Sequence, residues 1–336
     1  MTERRPTIID VAREAGVSKS TVSLVLRDSP LVRDETRENV RAAMERLNYV
    51  YHRGAASLRA QGTGLIGLVI NDLRNPFFTE FAISLQMALS AQGYATVIAN
   101  TDEDSGLQSQ VIGAMVEHDV AAVIISPCYG GQDAGFGALA RAGIPTLQVL
   151  RQVAGADDFP FAAPDYREGG RRASEHLIAA GARRIAFVGG VAGRSVVAER
   201  MSGYLEVLAR HGLDPVVMHG PSTRGFGRAV ADRLTGARPG IDAAICFSDL
   251  IAHGVLSRLA ETGHKVGAGG LRLIGFDDIE ESATSYPPLS SVSCRIDGFG
   301  RSVAAMVLGW LRDGRRPPPE TRMPAGLILR QSSPPP

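Results

Sequence analysis

TIIDVAREAGVSKSTVSLVL, residues 7–26, holds two short apolar patterns parted by a glycine. Thr7 followed by Asp10 resembles a capping box with Asp in place of Glu or Gln, which starts a helix. Val11, Ala12 and Ala15 form its inner face, and Gly16 gives the turn. Ser18 is placed to accept the orphan N–H groups of a second helix, on which Val22, Val25 and Leu26 face inward. Lys19, Ser20, Ser23 and Leu24 are left pointing outward or at its start. Two short helices with such a turn make a helix-turn-helix, whose second helix lies in a DNA major groove. Small hydroxyls there approach phosphates, and a lysine near the helix start reaches base edges. A third stripe, Val40, Ala43, Met44 and Leu47 in ETRENVRAAMERLNY (35–49), completes a small three-helix core.

From Gly64 onward the pattern changes. Strand candidates are GLIGLVI (64–70), YATVIAN (94–100), AAVIISP (121–127), PTLQVL (145–150), RRIAFVGG (183–190), AAICFS (243–248) and LRLIGF (271–276). Continuous Val- and Ile-rich runs of this kind are parallel strands covered on both faces. Amphipathic segments between them end at Gly93, Gly181, Gly212 and Gly263, as helices closed by a left-handed residue do. The reading is α/β with doubly wound sheets. The strands are too many for one sheet, and the pattern pauses at RQVAGADDFPFAAPD (151–165), so two similar lobes are expected. The tail SSPPP is expected to be disordered.

Bulk properties narrow the classes. The 44% hydrophobic and 21% charged content is that of a globular chain. Net charge is +1, but residues 1–62 carry eleven Lys/Arg against eight Asp/Glu, a modest basic bias. Cys128, Cys246 and Cys294 stand apart in apolar runs, with neither disulfide nor metal spacing. MTERRPTIID has no apolar signal region, and no stretch approaches a membrane span, so a cytoplasmic protein without membrane contact is expected. Seven scattered histidines show no H-E-x-x-H spacing, and neither G-x-S-x-G nor GxxxxGK[ST] occurs. Asp277 and Asp278 are adjacent, which rarely lets both carboxylates reach one substrate, and GGVAGRS (189–195) reads as a strand-to-helix turn. No catalytic residue, metal or cofactor is expected.

TIIDVAREAGVSKSTVS resembles the head of the LacI/GalR family of bacterial transcription regulators, and the resemblance extends along essentially the whole chain. It implies a helix-turn-helix domain at 1–52 and a hinge helix or linker at 53–63. A two-lobed periplasmic-binding-protein-like domain at 64–333 follows, for effector binding and dimerisation. Lobe 1 is expected at about 64–160 plus 293–320 and lobe 2 at about 161–292 plus 321–333. By resemblance Lys19, Ser20 and Leu24 read bases, Thr7, Ser18, Thr21 and Ser23 contact the DNA backbone, and Leu58 is the apolar wedge of the hinge. Relatives usually have proline near Tyr51 and arginine at Ala56, and many have arginine at Leu24 and asparagine at Arg27. Leucine cannot donate to guanine but can touch a thymine methyl, so a departure from the commonest half-site is expected.

Ligands of open α/β sheets collect beyond the carboxyl ends of the strands. In this region the family resembles periplasmic sugar-binding proteins. The likeness implies that Phe77 and Phe78 stack on a sugar, Arg200 holds its hydroxyls and Asp277 accepts from them, with Asp165 and Ser248 as further candidates. Ser248 stands where relatives often have asparagine, Asp249 is placed to cap the next helix, and Tyr129, Tyr166 and Arg151 are open guesses. The implied function is a repressor of a sugar uptake or catabolism operon. It binds double-stranded operator DNA as a homodimer, and a small sugar-like effector releases it. A solute-binding protein and a sugar-modifying enzyme are the alternatives; GLILRQSSPPP has no heptad run, which speaks against a tetramer-forming helix.

Overall fold

The structure is a computed structural model that describes residues 6–26, 29–49, 64–130, 134–153, 156, 158–236 and 240–335. Leu58, with the expected hinge, lies outside the described residues. The chain divides into two compact units between Thr63 and Gly64.

The first unit holds α1 (Ile8–Glu14), α2 (Lys19–Leu26) and α3 (Asp34–Arg46). The Thr7 N–H donates to the Asp10 carboxylate at 2.8 Å and the Thr7 hydroxyl does so at 2.6 Å, which fixes the start of α1. Ser18 Oγ accepts from Thr21 N–H at 3.0 Å and starts α2. Val11, Val22, Val25, Val40 and Ala43 are buried together, while Leu26 is only half-buried. Asn39 donates to the Ala15 carbonyl at 2.9 Å, tying α3 to the end of α1.

The second unit runs β1 (Leu65–Ile70), α4 (Pro76–Ser90), β2 (Ala95–Asn100), α5 (Ser105–Glu117), β3 (Ala122–Ile125), α6 (Phe136–Ala142), β4 (Thr146–Val149) and β5 (Phe161–Pro164). It continues α7 (Tyr166–Ala179), β6 (Ile185–Val188), α8 (Ser195–Arg210), β7 (Val216–Met218), α9 (Arg224–Gly236), β8 (Ala243–Cys246), α10 (Asp249–Glu261) and β9 (Arg272–Asp277). The last elements are α11 (Glu280–Thr284), β10 (Ser290–Ser293), α12 (Ile296–Asp313), β11 (Glu320–Met323) and β12 (Gly326–Ile328). Two six-stranded sheets result, β11-β5-β4-β3-β1-β2 and β12-β10-β9-β8-β6-β7. Every pairing is parallel except β10 with β12. All seven strand candidates form strands.

Three expectations change. Phe161–Pro164, inside the supposed pause, pairs with β4 and with Glu320–Met323, so both segments belong to the first sheet. The chain therefore crosses between lobes near Asp165, Cys294 and Pro324, and the expected lobe edges at 160/161 and 320/321 move by about four residues. The tail is also ordered as far as Pro335: Ser332 and Ser333 are fully buried. Ser332 Oγ donates to the Leu273 carbonyl at 2.6 Å and accepts from Ser290 N–H at 2.7 Å, while Ser333 Oγ meets His176 Nε2 at 2.9 Å. Hydrogen bonds to backbone groups of β9 and β10 repay the ordering of this polar segment.

Candidate functional site

In the first unit, Lys19, Ser20 and Leu24 are exposed on α2, with Thr21 and Ser23 half-exposed beside them. Ser18 Oγ lies 2.7 Å from Ser20 Oγ and 2.9 Å from Thr21 Oγ1, so three hydroxyls cluster at the helix start. Thr7, half-buried, is committed to Asp10.

In the second unit the carboxyl ends of both sheets border one cavity of about 330 Å³. Among its buried polar groups is Arg200, 5% exposed. The crossing of α7 and α8 sets its position. A Cβ at Gly170 would lie 2.1 Å from the Arg200 carbonyl, and one at Gly203 would lie 2.0 Å from the Arg167 carbonyl, so the two backbones touch where only hydrogen fits. The Arg200 guanidinium donates to Asp277 Oδ1 at 3.0 Å and to the Phe247 carbonyl. It lies 3.9, 4.6 and 4.8 Å from the ring centres of Phe276, Phe247 and Tyr166. Aromatic faces and one carboxylate thus replace its lost hydration.

Asp277 ends β9 with φ +119°, and Asp278 follows at +60°. Side chains rarely adopt these angles, and the strained turn sends the neighbouring carboxylates apart. Asp277 lines the cavity; Asp278 pairs with Arg330 at 2.8 Å. Beneath them the fully buried Asp249 accepts from Ile279 N–H (2.9 Å), Ser282 Oγ (2.8 Å) and Ser291 Oγ (2.6 Å). It braces the 277–282 turn rather than capping α10, whose N-cap is Ser248. Burial pushes the Asp277 carboxyl up to about 7 against the pull of Arg200, with Asp249 and Glu80 adding to the rise. The folded state therefore holds a proton that the unfolded chain releases near pH 4. This contribution to stability is lost as pH rises from about 4 to about 7. Urea unfolding at pH 5 and 7.5 is expected to show a smaller drop in stability for Asp277→Asn than for the natural chain.

At the rim, Arg151 donates to both oxygens of Glu103 at 2.8 and 3.0 Å. Arg151 and Arg194 each lie over the Tyr129 ring, 4.0 and 4.2 Å from its centre. Ser222 Oγ and Ser248 Oγ are 2.6 Å apart. Phe77 and Phe78 meet edge to face at 5.5 Å, held by Asn75, which accepts from Phe77 N–H at 3.1 Å.

The cavity brings together Phe77, Phe78, Arg200, Ser248 and Asp277, and with them Tyr129, Tyr166 and Arg151. Asp165 is elsewhere: it does not line the cavity, and its carboxylate accepts from Glu168 N–H at 2.9 Å as the N-cap of α7. A short acidic side chain just before a helix satisfies orphan donors first. Sequence reasoning passed over Glu103, Arg194 and Ser222. Glu103 stands in NTDED after β2, Arg194 in the stretch between β6 and α8, and Ser222 follows the three-residue β7.

Among the described residues no group of His, Cys, Asp or Glu is arranged to hold a metal ion, and no helix is long and apolar enough to cross a membrane. Residues 7–51 match the lacI family of bacterial regulatory proteins, and residues 174–333 match the periplasmic binding protein-like domain. The ribose operon repressor of Bacillus subtilis (strain 168) is 31% identical over 97% of this chain and 98% of its own. The HTH-type transcriptional regulator GalR of Escherichia coli (strain K12) is 30% identical over 97% and 95%. A solved complex of the transcriptional regulator CelR with cellobiose superposes with a TM-score of 0.72, at 27% identity over 98% of this chain and all of that one. A helix-turn-helix head and a two-sheet cavity domain in one chain, matched end to end by such relatives, place the protein in the lacI family of bacterial regulatory proteins.

Proposed function

We propose that the protein is a cytoplasmic, non-enzymatic repressor of a sugar uptake or catabolism operon that leaves its operator when a small sugar-like effector fills the cavity. The observation that carries this is the pairing of an exposed Lys19–Ser20–Leu24 face with a cavity floored by Arg200 and Asp277. Such a cavity is at the small end of ligand pockets, and its polar groups suit hydroxyls between aromatic walls. One regulator named above represses a ribose operon and another is solved with cellobiose, which supports a carbohydrate here.

A homodimer is supported by an uncovered apolar area. The edge strand β2 exposes Val97 and Ile98, and the adjacent α4 exposes Ile83 and Met87. Open edges and apolar patches of this kind mark association faces. Two heads read two half-sites together, which raises affinity well beyond that of one. The effector regulates only if it prefers one of the two states of the protein.

A gel shift with the DNA upstream of the protein's own gene tests the reading. Binding at low salt that weakens steeply as salt rises is expected. Failure to bind that DNA, together with turnover of a sugar, would overturn the reading in favour of an enzyme. Leu58→Ala is expected to lower operator affinity and leave sugar affinity in place. Equal operator binding by the variant would remove the wedge.

A further inference from the structure

Resting on that effector reading, we propose that the effector is an acidic monosaccharide whose carboxylate pairs with Arg194 at the amino end of α8. The other charged side chains around the cavity are held in ion pairs. Asp277 holds Arg200, Glu103 holds Arg151, and Arg74 serves both Asp72 (2.7 Å) and Asp102. Arg194 lines the same cavity, yet among the described residues no carboxylate lies within ion-pair distance of it. Its guanidinium instead shares the Tyr129 ring with that of Arg151. Two cations on one ring repel, and an anion placed between them and solvent relieves that repulsion.

The helix adds the same sign at the same place. Arg194 is the N-cap of the sixteen-residue α8, no side chain caps that end, and no acid stands in its first turn. The first-turn residues Val196 and Val197 line the cavity. A helix start of this kind favours negative charge.

A separate observation concerns donors. Asn71, 1% exposed, and Arg200 both line the cavity, and neither Asn71 Nδ2 nor Arg200 Nε has an acceptor among the described residues. Buried donors without acceptors are costly, and ligand oxygens remove that cost. A neutral sugar supplies hydroxyl oxygens to these two donors and nothing of opposite charge to Arg194. A sugar acid supplies both.

Calorimetry on the full chain, comparing D-galacturonate, D-glucuronate and D-gluconate with D-galactose, D-glucose and D-ribose, tests this. At least one acid is expected to bind about tenfold or more tightly than its neutral parent, as a charge-assisted contact gives. The preference is expected to shrink in high salt, to vanish in Arg194→Gln and to persist in Arg194→Lys. Neutral parents that bind as tightly as the acids overturn the proposal and leave the effector reading standing. A preference that survives Arg194→Gln overturns the assignment to this side chain. Silence from every sugar of both kinds, with a folded chain, overturns the effector reading itself.

Discussion

Arg200→Met is expected to lower unfolding free energy by about 3–5 kcal/mol, because it leaves Asp277 buried without its counter-charge. The loss should depend on pH. Without the guanidinium the Asp277 carboxyl is pushed further up, so the side chain stays neutral at pH 6 and must ionise, at cost, only at higher pH. Urea unfolding should therefore give a larger deficit at pH 8 than at pH 6. Adding Asp277→Asn should recover part of it, since the carboxylate that lost its partner is then gone. Sugar binding should fall roughly a hundredfold, as two charge-assisted contacts are removed. A deficit under about 1 kcal/mol at both pH values would contradict the buried pair.

Gly203→Ala is expected to destabilise by about 3 kcal/mol or more, although it adds one methyl group. The new carbon would sit 2.0 Å from the Arg167 carbonyl oxygen and 2.5 Å from Arg171 N, and backbone cannot step aside as a side chain can. The helices α7 and α8 must part, and Arg200, one turn before Gly203, moves with them. Gly113→Ala in α5 is the control, because nothing lies within 4 Å of the added carbon. There the same change should stabilise by about 0.5–1 kcal/mol, the ordinary preference for alanine in a helix. Thermal unfolding of the two variants side by side reads the difference; similar midpoints would mean that the crossing is looser than described.

The helical head was legible because its signals are local. Thr7 and Asp10, Gly16, and Ser18 each act within a few residues, and the bonds they make are those their spacing predicts. The central strands were legible because burial on both faces leaves an unbroken apolar run. The missed strands hide for physical reasons. β10 reads SSVS, yet all four residues are buried, since Asp249, Arg330 and the tail supply distant partners for its serines. β11 reads ETRM at a sheet edge, where polar side chains are tolerated. Around the cavity, Phe77, Arg200 and Asp277 were named through resemblance to a family. Arg194 was not, because its distinguishing property is the lack of a carboxylate neighbour, which only a three-dimensional arrangement reveals.

The late strands have a consequence for biosynthesis. The first sheet is completed by β11 and the second by β12, with Ser332 bridging β9 and β10 after that. Neither sheet is complete until β11 and β12 have been made, so both edges stay open while the strands before them emerge, and nascent chains depend on protection of those edges in that interval.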